Sequence, residues 1–296
     1  MERPVHKSLQ EYARGIAGGL LFSLPLIYTM EVWWAGFTSH PLRLLLYVVV
    51  TFTLLLGYNF FAGLRRDASW VEVVIDSVEE LGLGLLIAAS MLLLLRRITF
   101  DMATSEIVGK VIIEAMPVAI GVSVGTAQLG GGGDGESAAD TGTGEDGGGS
   151  KKKRGEKAGA KDHVHFLGQA MIALCGAVLF AANVAPTEEV VQIAAEIGSW
   201  NLFGLALLSI ALGALILFYS DFTGAQRFAP ADEGVVAVVI GTIITYAIAL
   251  VASATILWFF GRFDNVAPAT IIAQTVVLGL AATLGASAGR LLLQAR

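Results

Sequence analysis

An all-α, polytopic membrane protein of eight transmembrane helices, arranged as two parallel four-helix repeats, is the fold class this sequence predicts. Three observations predict it. Apolar residues make up 55% of the chain and charged ones 15%, against roughly 25% charged in a soluble domain. The mean hydropathy is +0.71, and the charges gather in loops, leaving long uncharged runs. The third observation is repetition. Gly18-Gly19-Leu20-Leu21-Phe22 leads to Thr29-Met30-Glu31-Val32, and Gly176-Ala177-Val178-Leu179-Phe180 leads to Thr187-Glu188-Glu189-Val190 with the same spacing. Tyr58-Asn59-Phe60-Phe61-Ala62-Gly63 returns as Tyr219-Ser220-Asp221-Phe222-Thr223-Gly224.

The spans follow in order. The first, 12–36, comes after Arg3, Lys7 and Arg14 as a signal peptide would. It is longer than the roughly 7–15 residues of a signal core, and Trp33 and Trp34 suit a bilayer face. The second is 41–63. The third, 71–95, and the fourth, 106–128, carry carboxylates. Residues 129–163 are Gly, Ser, Asp and Glu followed by Lys151-Lys152-Lys153-Arg154. They have no hydrophobic periodicity and read as a disordered, solvated linker. The fifth span is 165–184. After Pro186, Thr187 can cap and Glu188 and Glu189 suit a first turn, so a short surface helix is expected over 186–198. The remaining spans are 200–221, 234–260 and 268–293. The domains are therefore 1–128, the linker 129–163, and 164–296.

The repeat continues through the later spans. Val74-Ile75-Asp76-Ser77 meets Val239-Ile240-Gly241-Thr242, Ile112-Ile113-Glu114 meets Ile272-Ala273-Gln274, and Arg97 meets Arg262. An even span count per half brings both halves in from the same side, which makes the repeat parallel. The weight of basic residues places both termini in the cytoplasm, with the protein in the plasma membrane. The implied partners are membrane lipids and a small cation or proton. No nucleic acid is implied, and a homo-oligomer is compatible with this architecture.

An ionised side chain at bilayer depth costs about 2.5–3.5 kcal/mol on insertion scales, so acids there point to function. Glu72, Asp76, Glu79 and Glu80 share a helical stripe on the third span. Glu114 lies three residues before Pro117, which removes a helix donor and frees a carbonyl. The ion-path candidates are Glu79, Glu80, Glu114 and Asp76, with the polar repeat mates Gln274 and Thr245. Glu31 and its mate Glu189 are candidates for an outer gate or mouth, and Asn59 and Asp221 for an inner one. Each acid has a plainer alternative as an interfacial, capping or packing residue.

The single cysteine, Cys175, permits no disulfide within the chain, and the four histidines lie in loops or at helix ends. No metal site and no cofactor are expected. The sequence holds no His-Glu-x-x-His, no Gly-x-Ser-x-Gly and no phosphate-binding loop, so no enzyme is expected either.

Arg14-Gly15-Ile16-Ala17-Gly18 followed by Leu24-Pro25-Leu26-Ile27-Tyr28-Thr29-Met30-Glu31 resembles a family of prokaryotic integral membrane proteins of unknown function. The resemblance supports a multi-pass protein and implies no activity. Two functions follow from the residues. One is a transporter or channel for a small cation or proton that uses intramembrane carboxylates. The other is a non-transporting membrane sensor, scaffold or assembly partner.

Overall fold

The computed structural model describes residues 5–63, 69–128, 151–222 and 234–293. Among them all regular structure is helical: α1 (Val5–Ile27), α2 (Met30–Thr38), α3 (Pro41–Ala62), α4 (Trp70–Leu94), α5 (Thr104–Gln128), α6 (Lys151–Val184), α7 (Glu188–Glu196), α8 (Ser199–Phe222), α9 (Gly234–Phe259) and α10 (Pro268–Leu293). Seven of these are long and apolar enough to cross a membrane, and the bent pair α1–α2 raises the number to eight.

The first expected span does not run unbroken to residue 36. It stops at Ile27 and resumes as α2 after an 86° bend. Pro25 supplies no amide to the helix ladder, and Thr29 is extended at φ −92° and ψ 115°. Asn183 of α6 fills the gap. Its Oδ1 accepts from Leu26 N at 3.1 Å, and its Nδ2 donates to Phe22 O at 3.0 Å. These are the two groups that an unbroken α1 would pair with each other. Asn183 Nδ2 also donates to Leu179 O of its own helix at 2.6 Å.

A long helix followed by a short one occurs again later in the chain. α6 ends at Val184 and the short α7 follows, as expected for 186–198. Thr187 makes no side-chain cap; its hydroxyl donates back to Val184 O at 2.8 Å. α6 itself begins at Lys151, so residues 151–163, expected as linker, are helical. Lys, Ala and Glu are good helix formers and can extend an existing helix without an apolar face. The rest of the linker, 129–150, lies outside the described residues.

One helix sits at the centre of each half. α5 packs on α1, α2, α3 and α4, and α10 packs on α6, α7, α8 and α9. Close approach requires glycine at the crossings. A Cβ on Gly18 would stand 2.5 Å from Gly125 Cα and 2.6 Å from Gly121 O, and one on Gly176 would collide with Gly285 O. The fourth and ninth helices also end alike. Arg96 (φ 56°) and Gly261 (φ 71°) are left-handed. The next amides, Arg97 N and Arg262 N, bond to Leu92 O at 2.8 Å and Leu257 O at 2.9 Å, which is a Schellman closure in both.

The halves meet through α6, which lies against α3, α1 and α5. Tyr47 stacks on Phe259 at 4.0 Å between ring centroids. Arg43 grips Asp264 through two bonds of 2.7 and 2.6 Å. That guanidinium holds the exposed Asp264 carboxyl below its ordinary range.

Candidate functional site

The acids of α4 part company in the fold. Ser69 and Glu72 form a capping box that starts the helix. Glu79 is exposed, beside the Tyr12 hydroxyl of α1, and Asp76 is half-buried on the same side. Glu80, about 100° further round the helix, points inward and is buried. Asn59 Nδ2 of α3 donates to Glu80 Oε2 at 2.7 Å and to Ser77 Oγ at 3.0 Å. Ser123 Oγ of α5 donates to Asn59 Oδ1 at 3.1 Å. Asn59, placed at an inner mouth by the sequence, is thus a buried crosslink of three helices.

The residues that the expected repeat would match to this cluster, Thr242, Thr245 and Thr283, are all buried. Here an arginine is central. Arg290 of α10, only 4% exposed, donates through Nη1 to Thr245 Oγ1 at 3.1 Å and through Nε to Gln169 Oε1 at 3.3 Å. Sequence reasoning counted Arg290 among the charges that orient the chain and missed this role. Its place after Gly285 and directly after Gly289 on a close-packing helix was the available signal.

Glu114 stands apart from Glu80. Ser123 marks the level of the Glu80 cluster on α5, and Glu114 lies about 13 Å along that helix at roughly 1.5 Å per residue. Its exposure is 0%, and neither carboxylate oxygen has a hydrogen-bond partner among the described residues. The Trp33 indole N–H of α2 comes near enough to interact with the carboxylate, but its hydrogen bond goes to Ile27 O at 3.0 Å. The Arg97 guanidinium covers Trp33 at 4.3 Å from the ring centroid. Leu26, Val32, Ala35, Leu44 and Ile113 form the apolar cluster around this level. The mate, Gln274, is 1% exposed, and its Oε1 is also without a partner among the described residues.

The gate candidates occupy first turns of the short helices. Glu31 is half-buried in α2 and Glu189 is exposed in α7. Both suit the positive end of a helix dipole. Glu188 beside it reaches Arg262 at 3.9 Å, and Arg262 also donates to Pro186 O. Arg97 and Arg262 therefore each clamp the short helix of their own half. The Asp221 side chain lies outside the described residues. No group of three or more His, Cys, Asp or Glu side chains is placed to hold a metal among the described residues.

Residues 11–293 match the family described as "Putative integral membrane protein (DUF2391)". No curated protein and no solved structure matches the chain.

Proposed function

The chain belongs to that family of integral membrane proteins, and from this premise we propose that it moves a small cation or a proton across the membrane, as a transporter or channel, with Glu80 and Glu114 as stations. One observation carries the proposal. Glu114 is fully buried midway along a helix long and apolar enough to cross a membrane, and neither oxygen makes a geometric hydrogen bond among the described residues. An acid so placed costs about 2.5–3.5 kcal/mol. The corresponding place in the second half is filled by the neutral Gln274, so packing alone does not require the charge.

Duplication is part of the same proposal. It is supported by the matching helix order, the central position of α5 and α10, and the paired Schellman closures. The basic residues favour cytoplasmic termini and the plasma membrane. The chain acts without a catalytic group of its own.

The test is flux into proteoliposomes under proton, sodium and potassium gradients. Flux that falls at least tenfold in Glu114→Gln or Glu80→Gln supports the proposal. Absence of flux under all three gradients rejects it.

One observation favours a non-transporting sensor, scaffold or assembly partner. Glu80 is held by Asn59 in a closed network of three helices, as a packing crosslink would be. Deleting residues 130–162 separates the two. A transporter whose halves still dock keeps its flux, whereas a scaffold that uses the linker loses its partner.

A further inference from the structure

Glu114 and Gln274 occupy matching places on the two central helices, and both are buried with oxygens that have no partner among the described residues. The surroundings of Glu114 decide what it can bind. A metal cation stripped of water needs about six oxygen ligands. Beside Glu114 the structure brings the Trp33 indole, whose nitrogen is a donor only, and its chain neighbour Ile113 packs into an apolar cluster with Leu26, Val32, Ala35 and Leu44. Among the described residues no second carboxylate joins it: the level of Glu80 of α4 is about 13 Å further along α5. Among the described residues the titratable or charged groups near this level are Tyr47 of α3, Arg97 behind the Trp33 ring and, one turn back on α5, the buried Lys110, which pairs with Glu106 at 2.6 Å. A proton needs one lone pair and no shell of ligands. It also removes the cost of a buried anion whose nearby donor, the Trp33 N–H, is given to Ile27 O. Pro117 has no N–H, so the Ile113 carbonyl in the same turn lacks its helical donor and is free to accept one.

We propose that Glu114 is a proton-binding site, one per chain, and not a metal-cation site. The proposal rests on the translocation reading above and names its ion. In the reaction the carboxylate oxygen takes up a proton to form the neutral acid and later returns it, with no other bond made or broken. The second half, with an amide at the matching place, takes no proton there.

Infrared spectroscopy of the purified full-length chain tests this directly. The C=O stretch of a buried carboxylic acid stands clear of the amide bands and shifts in D2O. The expected result is such a band near neutral pH whose intensity falls by one acid per chain in Glu114→Gln. Adding sodium or potassium chloride at constant pH leaves it unchanged. Identical wild-type and Glu114→Gln spectra across the pH range overturn the proposal, as does a band abolished by sodium or potassium. If Glu114→Gln is not monodisperse, Glu114→Asp must move the same band, and an unmoved band overturns the proposal. Proton flux measured in parallel separates the two levels. A Glu114 acid band without flux rejects translocation and keeps the proton site, whereas flux without the band rejects the site.

Discussion

Replacing Gly18 by alanine tests the α1–α5 crossing that holds the first half together. The new Cβ would stand 2.5 Å from Gly125 Cα and 2.6 Å from Gly121 O, and both are backbone atoms. Carbon atoms in good contact lie about 3.5–4.0 Å apart. The two helices must therefore separate locally by about 1 Å, because no side chain can rotate away. Overpacking of this kind typically costs about 1–3 kcal/mol. Gly82 is the internal control. It lies on another membrane helix, and a Cβ there meets nothing within 4 Å. Gly82→Ala should be neutral or should gain up to about 1 kcal/mol of helix propensity. The two variants add the same methyl group and share the same propensity gain, so they should differ by the overpacking cost, about 1–3 kcal/mol. Denaturation of the purified chain in mixed micelles, followed by circular dichroism, measures the difference. Equal stability of the two would mean that α1 and α5 are not in backbone contact, and the central place of α5 would fall with it.

Three further outcomes are expected. Asn183→Ala opens the Leu26 and Phe22 backbone groups and should cost about 1–3 kcal/mol, within the usual range for unsatisfied buried groups; amide exchange at Leu26 should speed up, and unchanged exchange would refute the bridge. Asn59→Leu removes the donor to Glu80 and the acceptor for Ser123, so it should destabilise by about 2–4 kcal/mol and more than Glu80→Gln does; thermal unfolding in detergent gives the order. Asp264, whose carboxyl is depressed by Arg43, contributes stability above its unfolded value of 3.8 that is lost as pH falls through the lower folded value. Being an exposed pair, it is worth at most about 1 kcal/mol, and Arg43→Gln should remove that acid-side dependence in a pH series of melting temperatures.

Much of the candidate site was legible before the fold was known. Glu80 and Glu114 stand out because charge inside an apolar run is costly wherever the helix turns. Their surroundings were not legible. Asp76, Glu79 and Glu80 share a stripe in sequence, yet Glu79 is exposed while Glu80 meets Asn59 and Ser123. Spacing tells which residues share a face, but not which neighbour that face meets. Arg290 shows the same limit from the other side. A basic residue near a helix end looks solvated until Gln169 and Thr245 are seen to surround it.

By itself the sequence determined that the chain is helical and membrane-embedded and where the apolar runs lie, because hydropathy is a local sum along the chain. Only the tertiary structure decided that the first run breaks by 86°, that α5 and α10 are the central helices, and that Glu114 is left without a partner among the described residues. Each of these depends on groups far apart in sequence. The clearest case is Asn183, which reaches Leu26 across 157 positions, since a backbone bond broken by proline can be mended only by whatever the fold brings alongside.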